Sequence, residues 1–222
     1  METQERKAAR IKSNTGTKLE KRFYLQEDVV AAARGLLGKY LFTRFDGILT
    51  GGIITETEAY AGVNDKASHA FGGRRTRRTE TMYSEGGTAY VYLCYGMYSL
   101  FNVVTNKKDV PHAVLIRALH PLAGKEHMAK RRNLHPDSKN FSSGPGTLSI
   151  ALGIHFTNHN GLSLAGPDIW IEDRQLKFNP TQILTGPRVG VESAGKDALL
   201  PYRFRIKAGS IPMTNDQLIN DQ

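Results

Sequence analysis

The 222-residue sequence contains only one cysteine, Cys94. A disulfide framework within the chain is therefore excluded, and so is a zinc site built from clustered cysteines. Because no Cys/His cluster is present either, we expect neither a metal ion nor a cofactor. Cys94 lies in an apolar run, which is typical of an unreactive core cysteine rather than of a nucleophile.

A hydrophobic signal core is absent from the N-terminus. An uncharged run at residues 86–106 has the length of a membrane span, but glycines, an asparagine and four tyrosines interrupt it. These features favour an intracellular protein that does not bind membranes. It would work in the cytoplasm or nucleoid of a bacterium or in the nucleus of a eukaryote.

Acidic residues are scarce relative to basic ones. The chain has 30 Lys and Arg against 21 Asp and Glu, a formal net charge of +9. Such an excess favours a polyanionic partner, which could be DNA, RNA or an anionic membrane, although a solvated basic surface would give the same composition.

The length and a hydrophobic content of 40% are typical of one domain. Residues 1–20 are polar and predict a basic flexible tail, which leaves 21–222 as a single compact domain. We expect a monomer. Neighbouring strands and hairpins dominate without a βαβ series, so the predicted fold class is α+β, with a mainly antiparallel sheet and surrounding helices.

Local patterns place the individual elements. Helical spacing of apolar residues predicts a helix over 27–39, and Asp46-Gly47 predicts a hairpin between two strands. A long polar loop is expected at 61–86. The remaining predicted elements are strands at 88–94, 99–105, 112–119 and 202–208, and helices at 124–133 and 145–152.

The motif "IITETEAY" carries two carboxylates on one predicted strand. Period-two alternation places Ile54, Glu56 and Glu58 on one face, which Tyr60 continues. Facing a cleft, this pair could supply a general base and a structural neighbour; facing solvent, it would be an ordinary strand end. Arg117, in "HAVLIRAL", requires an anionic partner within an apolar run, either Glu56 or Glu58 or a phosphate.

Two further segments could contact an anion. The loop "FGGRRTRRTE" contains Arg74, Arg75, Arg77 and Arg78, which suit phosphate contacts but would also suit a solvated basic loop. The turn in "SSGPGTLSIALG" opens a helix whose first N–H groups could face an anion, although a simple helix start would look the same.

Tyr90, Tyr92, Tyr95 and Tyr98 lie within nine residues of one another. Tyrosine rings stack on nucleobases and attract cationic rings, but four rings could equally pack the core. On an alternating strand Tyr90 and Tyr92 share a face, whereas Tyr95, next to Gly96 at a turn, points elsewhere.

The strings "ETEAYAGVNDKASHAFGGRRTRRTETMY", "GTAYVYLCYGMYSLFNVV" and "AVLIRALHPLAG" closely resemble the alkyladenine (3-methyladenine) DNA glycosylase family of the mammalian type. "GPRVGV" and "PYRFRIKAG" extend the resemblance over residues 23 to 210. It implies a compact domain around a curved antiparallel sheet. It also implies excision of alkylated purines such as 3-methyladenine from double-stranded DNA. A base inside the stack cannot be reached, so it would be flipped out. Because no lysine accompanies the TETEAY motif, we expect a monofunctional glycosylase that hydrolyses the N-glycosidic bond to an abasic site without strand cleavage.

The resemblance also implies roles for individual residues. Glu58 would be the general base, and Arg117 would help to hold the attacking water. The flipped base would be bound by Tyr60, His69 and Tyr92, and Asn102 would disfavour the amino group of guanine. Tyr95 would wedge into the duplex. Family members often carry a lysine where this sequence has Thr147, which puts one phosphate contact in doubt.

Two other functions are compatible with parts of the sequence. A non-catalytic nucleic-acid-binding module would also stack bases on tyrosines, but it would need no carboxylate such as Glu58 facing the base. A formyltransferase-like sugar-nucleotide domain rests on fold analogy alone.

Overall fold

The computed structural model describes residues 16–136, 138 and 142–212. They form one nine-stranded sheet in the order β1-β7-β2-β3-β6-β5-β4, with β9 paired to β3 and β8 paired to β9. The strand pairings among these residues are all antiparallel. The strands are β1 Thr17–Lys18, β2 Tyr40–Phe45, β3 Ile48–Tyr60, β4 Ala89–Cys94, β5 Tyr98–Thr105, β6 His112–Ala123, β7 Ile169–Asp173, β8 Ile183–Gly186 and β9 Arg203–Ile206.

In the described ranges, five α-helices surround the sheet, so the α+β prediction is confirmed. They are α1 Lys21–Tyr24, α2 Val29–Leu36, α3 Lys125–Arg132, α4 Pro145–Leu152 and α5 Phe156–His159. Asp28 caps α2 by accepting from the N–H groups of Val30 and Ala31. The main hydrophobic core contains buried residues of α2, α4 and the central strands.

Turn chemistry fixes two hairpins. Asp46 and Gly47 have φ angles of 52° and 76° between β2 and β3, and Tyr95 and Gly96 have 50° and 70° between β4 and β5. Positive φ at two successive residues defines a type I′ turn, which matches the twist of the strands it joins. The predicted hairpin at Asp46-Gly47 is therefore confirmed, and the uncharged run 86–106 is a hairpin, not one long helix.

β3 is the central strand, and a bulge changes which of its residues share a face. Its register with β6 shifts at Ile54/Glu56 and again at Glu56/Thr57. As a result Ile54 lies in the main core with Ala59, while the Thr57 hydroxyl donates to a carbonyl of α2. The prediction that Ile54 shares a face with Glu56 and Glu58 is wrong, because alternation breaks at a bulge.

Residues 61–86 form the predicted long loop, with short 3₁₀-helices at Gly62–Asn64, Phe71–Gly73 and Glu80–Tyr83. Two more occur later, at Pro180–Gln182 and Glu192–Leu199. Of the predicted tail, residues 1–15 lie outside the described residues, and Thr17–Lys18 pair with β7. Within the part of the chain that the structure describes, no helix is long and apolar enough to cross a membrane.

Candidate active site

A cleft of about 870 Å³ opens beside the bulged part of β3. Its walls come from strands β4, β5 and β6, from the loop after β3, from the start of α4 and from residues 189–193. Segments that are distant in sequence thus meet around one cavity. Lining residues include Tyr60, His69, Arg74, Arg78, Tyr90, Tyr92, Tyr95, Asn102, Arg117 and Thr147.

The Glu58 carboxylate lies directly behind this cleft and is completely shielded from solvent. Its Oε2 accepts from the Tyr60 hydroxyl at 2.9 Å, and its Oε1 accepts from the Val189 N–H at 2.9 Å. The Arg117 Nη1 lies 3.3 Å from Oε1. All three partners of Glu58 line the cleft, so the carboxylate lies directly beneath the residues that form the bottom of the cleft.

Glu56 holds two guanidinium groups through one oxygen. Its Oε1 lies 2.7 Å from Nε of Arg117 and 2.7 Å from Nε of Arg203 on β9. Arg117 therefore pairs with both glutamates, two of the three partners that the sequence left open. The two carboxylates and two guanidinium groups balance in charge, which reduces the free energy needed to bury them.

Burial raises the pKa of Glu58 above its ordinary value. The Arg117 charge, the Val189 N–H and the Tyr60 hydroxyl each oppose this effect but do not cancel it. A carboxylate with a raised pKa is a stronger proton acceptor than an ordinary glutamate, which suits a general base.

Aromatic rings form one wall of the cleft. His69 and Tyr92 meet edge to face with ring centroids 4.6 Å apart, and Tyr92 lies 5.3 Å from Tyr90. The Tyr90 side chain is buried, and its hydroxyl is 3.0 Å from Nδ1 of His69. The predicted pocket residues Tyr60, His69 and Tyr92 are thus brought together.

These ring side chains are uncharged near neutral pH. Burial, together with the charges of Arg78 and Arg74, lowers the pKa of His69 to about 4. Burial raises the pKa of Tyr90 to about 12 and that of Tyr92 further. A neutral imidazole does not repel a cationic ligand, so the wall is electrostatically compatible with one.

Asn102 is buried on β5 and lines the cleft. Its Nδ2 donates to the carbonyls of Tyr90 and Leu100, at 3.1 and 3.2 Å. Two hydrogen bonds from one nitrogen fix the orientation of the amide, so Asn102 is a rigid part of the wall.

Tyr95 extends from the β4–β5 turn with 87% of its surface exposed, and Met97 beside it is 70% exposed. The turn is closed by the Met97 N–H donating to the Cys94 carbonyl at 3.1 Å. The tyrosines therefore divide as the alternation predicts. Tyr98 packs against Gly146 at the wall, where a Cβ would come within 2.7 Å of its ring.

The four loop arginines are exposed but differ in their partners. Arg74 and Arg78 line the cleft, and the Arg78 guanidinium lies 5.1 Å from the centre of the Tyr92 ring. Arg75 points elsewhere and pairs with Glu80 and Asp109, at 2.7 Å each. Arg77 lines no described part of the cleft.

The start of α4 forms the opposite wall. Gly144, Pro145, Gly146 and Thr147 all line the cleft, and Oγ1 of Thr147 donates to the Gly144 carbonyl at 2.8 Å. The hydroxyl of Thr147 thus stabilises the first turn of the helix at the position where a lysine was expected.

Sequence reasoning missed the residues that support Glu58 from the C-terminal third. Val189, Arg203 and Arg188 all lie more than 120 positions from their partners. The only indication of these residues in the sequence was that the strings containing them, "GPRVGV" and "PYRFRIKAG", resemble the family pattern. Within the described ranges, no group of three or more His, Cys, Asp or Glu side chains is arranged to hold a metal ion.

The sequence of this chain is similar to those of a known protein family. The model of the methylpurine-DNA glycosylase family matches residues 22–210. A Chlamydia felis protein named "Putative 3-methyladenine DNA glycosylase" is 45% identical over 187 residues, which cover 84% of this chain and 94% of the relative. A protein of the same name from Clostridium perfringens strain 13 is 42% identical over 84% of this chain and 94% of the relative. Another, from Bacillus cereus, is 43% identical over 83% of this chain and 93% of the relative.

These relatives are bacterial, so the qualification "mammalian type" gains no support from them. The family itself rests on a match that covers nearly all the described residues. From its cleft and from this match, we conclude that the chain belongs to the methylpurine-DNA glycosylase family.

Proposed function

We propose that this protein is a monofunctional DNA repair glycosylase. It flips alkylated purines such as 3-methyladenine out of duplex DNA and hydrolyses the N-glycosidic bond, leaving an abasic site. The observation that carries the proposal is a shielded carboxylate, Glu58, directly beneath an aromatic cleft with an exposed tyrosine, Tyr95, at its edge. The protein acts as a monomer, in the cytoplasm or nucleoid of a bacterium or in the nucleus of a eukaryote.

Recognition begins outside the cleft. A stacked base is out of reach of Glu58, so the damaged nucleotide must leave the helix at a cost of a few kcal/mol. Tyr95 enters the duplex and fills the gap, and the stacking of its ring offsets part of that cost. Arg74 and Arg78 bind phosphates near the entrance; Arg77 is a further phosphate contact, while Arg75 organises the loop through Glu80 and Asp109.

Inside the cleft, the rings select for positive charge. N-alkylation makes a purine cationic, and a cation between Tyr60, His69 and Tyr92 gains about 0.5–2 kcal/mol over a neutral base. The low pKa of His69 keeps that side chain neutral, which avoids repulsion. Asn102, held by two hydrogen bonds, lies against the C2 edge of the purine and leaves no room for the amino group of guanine.

Glu58 then acts on the sugar. The bond between C1′ and the purine nitrogen breaks with its electron pair going to the base, which becomes neutral, while positive charge develops on the sugar. The carboxylate stabilises this charge and takes a proton from the water that attacks C1′. Oε2 accepts one hydrogen bond from the described residues and keeps a lone pair for that water. Arg117, whose Nη1 lies 3.3 Å from Oε1 of Glu58, helps to hold this water.

Duplexes that each carry one lesion test the proposal. Incubation with the protein should release alkylated purines and leave sites that break only after alkali treatment. Breaks that form without alkali would contradict the monofunctional assignment and would point to Lys66, which lines the cleft. Normal binding without release of any base would identify a binding module instead.

A further inference from the structure

Arg188 is an arginine with no exposed side-chain surface that lies one residue before the cleft-lining segment 189–191. Its two terminal nitrogens bind both carboxylate oxygens of Asp65 in a bidentate pair, with Nη2 2.8 Å from Oδ1. Nη1 also donates to the Ala59 carbonyl at 2.9 Å, and Nη2 donates to the Asp197 carbonyl at 3.1 Å. The head group is thus bound to three separate parts of the chain.

Two of the donors to Glu58 lie next to this arginine. The Arg188 guanidinium lies 4.8 Å from the centre of the Tyr60 ring, whose hydroxyl donates to Oε2 of Glu58. The next residue along the chain, Val189, donates its N–H to Oε1. Tyr60 is therefore positioned by stacking on Arg188, and the Val189 amide is positioned by the anchored backbone next to it.

The Asp65 carboxylate extends the same anchor to the other wall of the cleft. It accepts from the N–H groups of Ala61 and Ala67, each at 3.0 Å, and so fixes the loop that leads to His69. Although burial alone would raise the pKa of Asp65, its hydrogen bonds to Arg188 and these amides lower it, so the pair is ionised at neutral pH. One ion pair thus joins the loop after β3 to the segment before Val189.

On the basis of the proposed function, we propose that Arg188, anchored by Asp65, is a positioning residue for the glycosylase reaction. It holds the Tyr60 hydroxyl and the Val189 amide against the two oxygens of Glu58. A buried ion pair is not by itself a strong source of stability, because removal from water opposes the attraction. Its location between two donors to the catalytic carboxylate gives it a function that an apolar pair of the same size would not provide.

The consequence is a shift in the acid–base behaviour of Glu58. The charged and titratable groups around this carboxyl are Glu56 and Tyr60 on β3, Arg117 on β6, Arg203 on β9, Tyr92 on β4 and Arg188 itself. Removing Arg188 takes away one positive charge and loosens two hydrogen-bond donors. Each of these changes disfavours the ionised form, so the pKa of Glu58 should rise further.

The test is the pH profile of single-turnover excision by Arg188→Met and Arg188→Lys. Arg174→Met is the matched control, because Arg174 also pairs with a carboxylate, Glu172, and lies over two rings, but it directly follows β7 and is not among the residues that line the cleft. Arg188→Met should lower the maximal rate by roughly tenfold or more. It should also move the acidic limb to higher pH and leave duplex binding within a few-fold of wild type. Arg188→Lys keeps the charge and should restore part of the shift, and the control should change neither quantity.

A folded Arg188→Met protein whose acidic limb coincides with that of wild type would overturn the proposal, whatever its rate. If thermal melts show that this variant does not fold, Asp65→Asn decides: release of Arg188 from its anchor should lower the maximal rate and leave duplex binding within a few-fold of wild type, and an unchanged rate would refute the proposal. Failure of the wild-type protein to release any alkylated base would contradict the proposed function instead.

Discussion

Nε of Arg117 lies 2.7 Å from Oε1 of Glu56, so the carboxylate that takes no direct part in the proposed chemistry determines where the guanidinium points. With Nε bound in this way, the outer end of Arg117 faces Glu58 and the cleft. The same Oε1 also binds Arg203, which leaves Glu56 little freedom to move.

Glu56→Gln should therefore impair excision without abolishing it. The neutral side chain keeps its size but removes the negative charge that both guanidinium groups face, so Arg117 is held less firmly in its position beside Glu58 and the cleft. A hydrogen bond to a charged group contributes about 1.5–3 kcal/mol, so the single-turnover rate should fall roughly 10- to 100-fold. Lesion binding, measured by fluorescence anisotropy, should remain close to wild type. A rate equal to wild type would show that Arg117 is positioned without Glu56.

Glu58→Gln should abolish excision while lesion binding stays roughly intact. General-base catalysis contributes about 10²–10⁴-fold, and the substitution removes the base with little change in shape. In the wild-type protein the rate should fall as the pH drops through the pKa of Glu58, because the base is then protonated. Since burial raises that pKa, the fall should begin above the pH expected for an ordinary glutamate. Normal turnover by the glutamine variant would refute the assignment.

Tyr95→Ser and Tyr92→Ala should separate flipping from base recognition. Loss of the Tyr95 ring removes roughly 1–3 kcal/mol of stacking, so excision should suffer far more at a paired lesion than at a mismatched one. Loss of Tyr92 should impair both substrates alike, because the pocket is needed however the base arrives. A base-flipping fluorescence probe in both kinds of duplex distinguishes the two effects. Equal losses for Tyr95→Ser in both contexts would mean that Tyr95 is not the wedge.

The basic tail predicted at residues 1–20 should add affinity without chemistry. Because Thr17–Lys18 pair with β7, the truncation that tests this removes only residues 1–15, which contain four Lys and Arg and two Glu. Binding to any duplex should weaken, and the salt slope should decrease by about 0.9 for each phosphate that the tail neutralises in the full-length protein. Single-turnover excision at saturating protein should be unchanged. A truncated protein that binds well but excises poorly would place these residues in the catalytic domain.

Short-range chemistry made part of this structure predictable. The turn at Asp46-Gly47 and the helix α4 follow from local residue preferences, and the exposure of Tyr95 follows from its place before Gly96. The bulge in β3 was not predictable, because it depends on how β6 pairs with that strand. Arg188 and Asp65 are separated by 123 positions, so no local pattern connects them.

The bulged stretch of β3 has neighbours on both edges: Glu56, Thr57 and Glu58 pair with β6 on one side and with Arg205, Phe204 and Arg203 of β9 on the other. Amide hydrogens in such a doubly bordered strand exchange with solvent deuterium only when the sheet as a whole opens. Hydrogen exchange should therefore be slowest in the segment that carries Glu58 and much faster at the β4–β5 turn that carries Tyr95. Glu58, which acts on the sugar, is thus fixed in the segment of the sheet that resists opening most strongly. Tyr95, which enters the DNA, lies at a turn where the backbone opens readily.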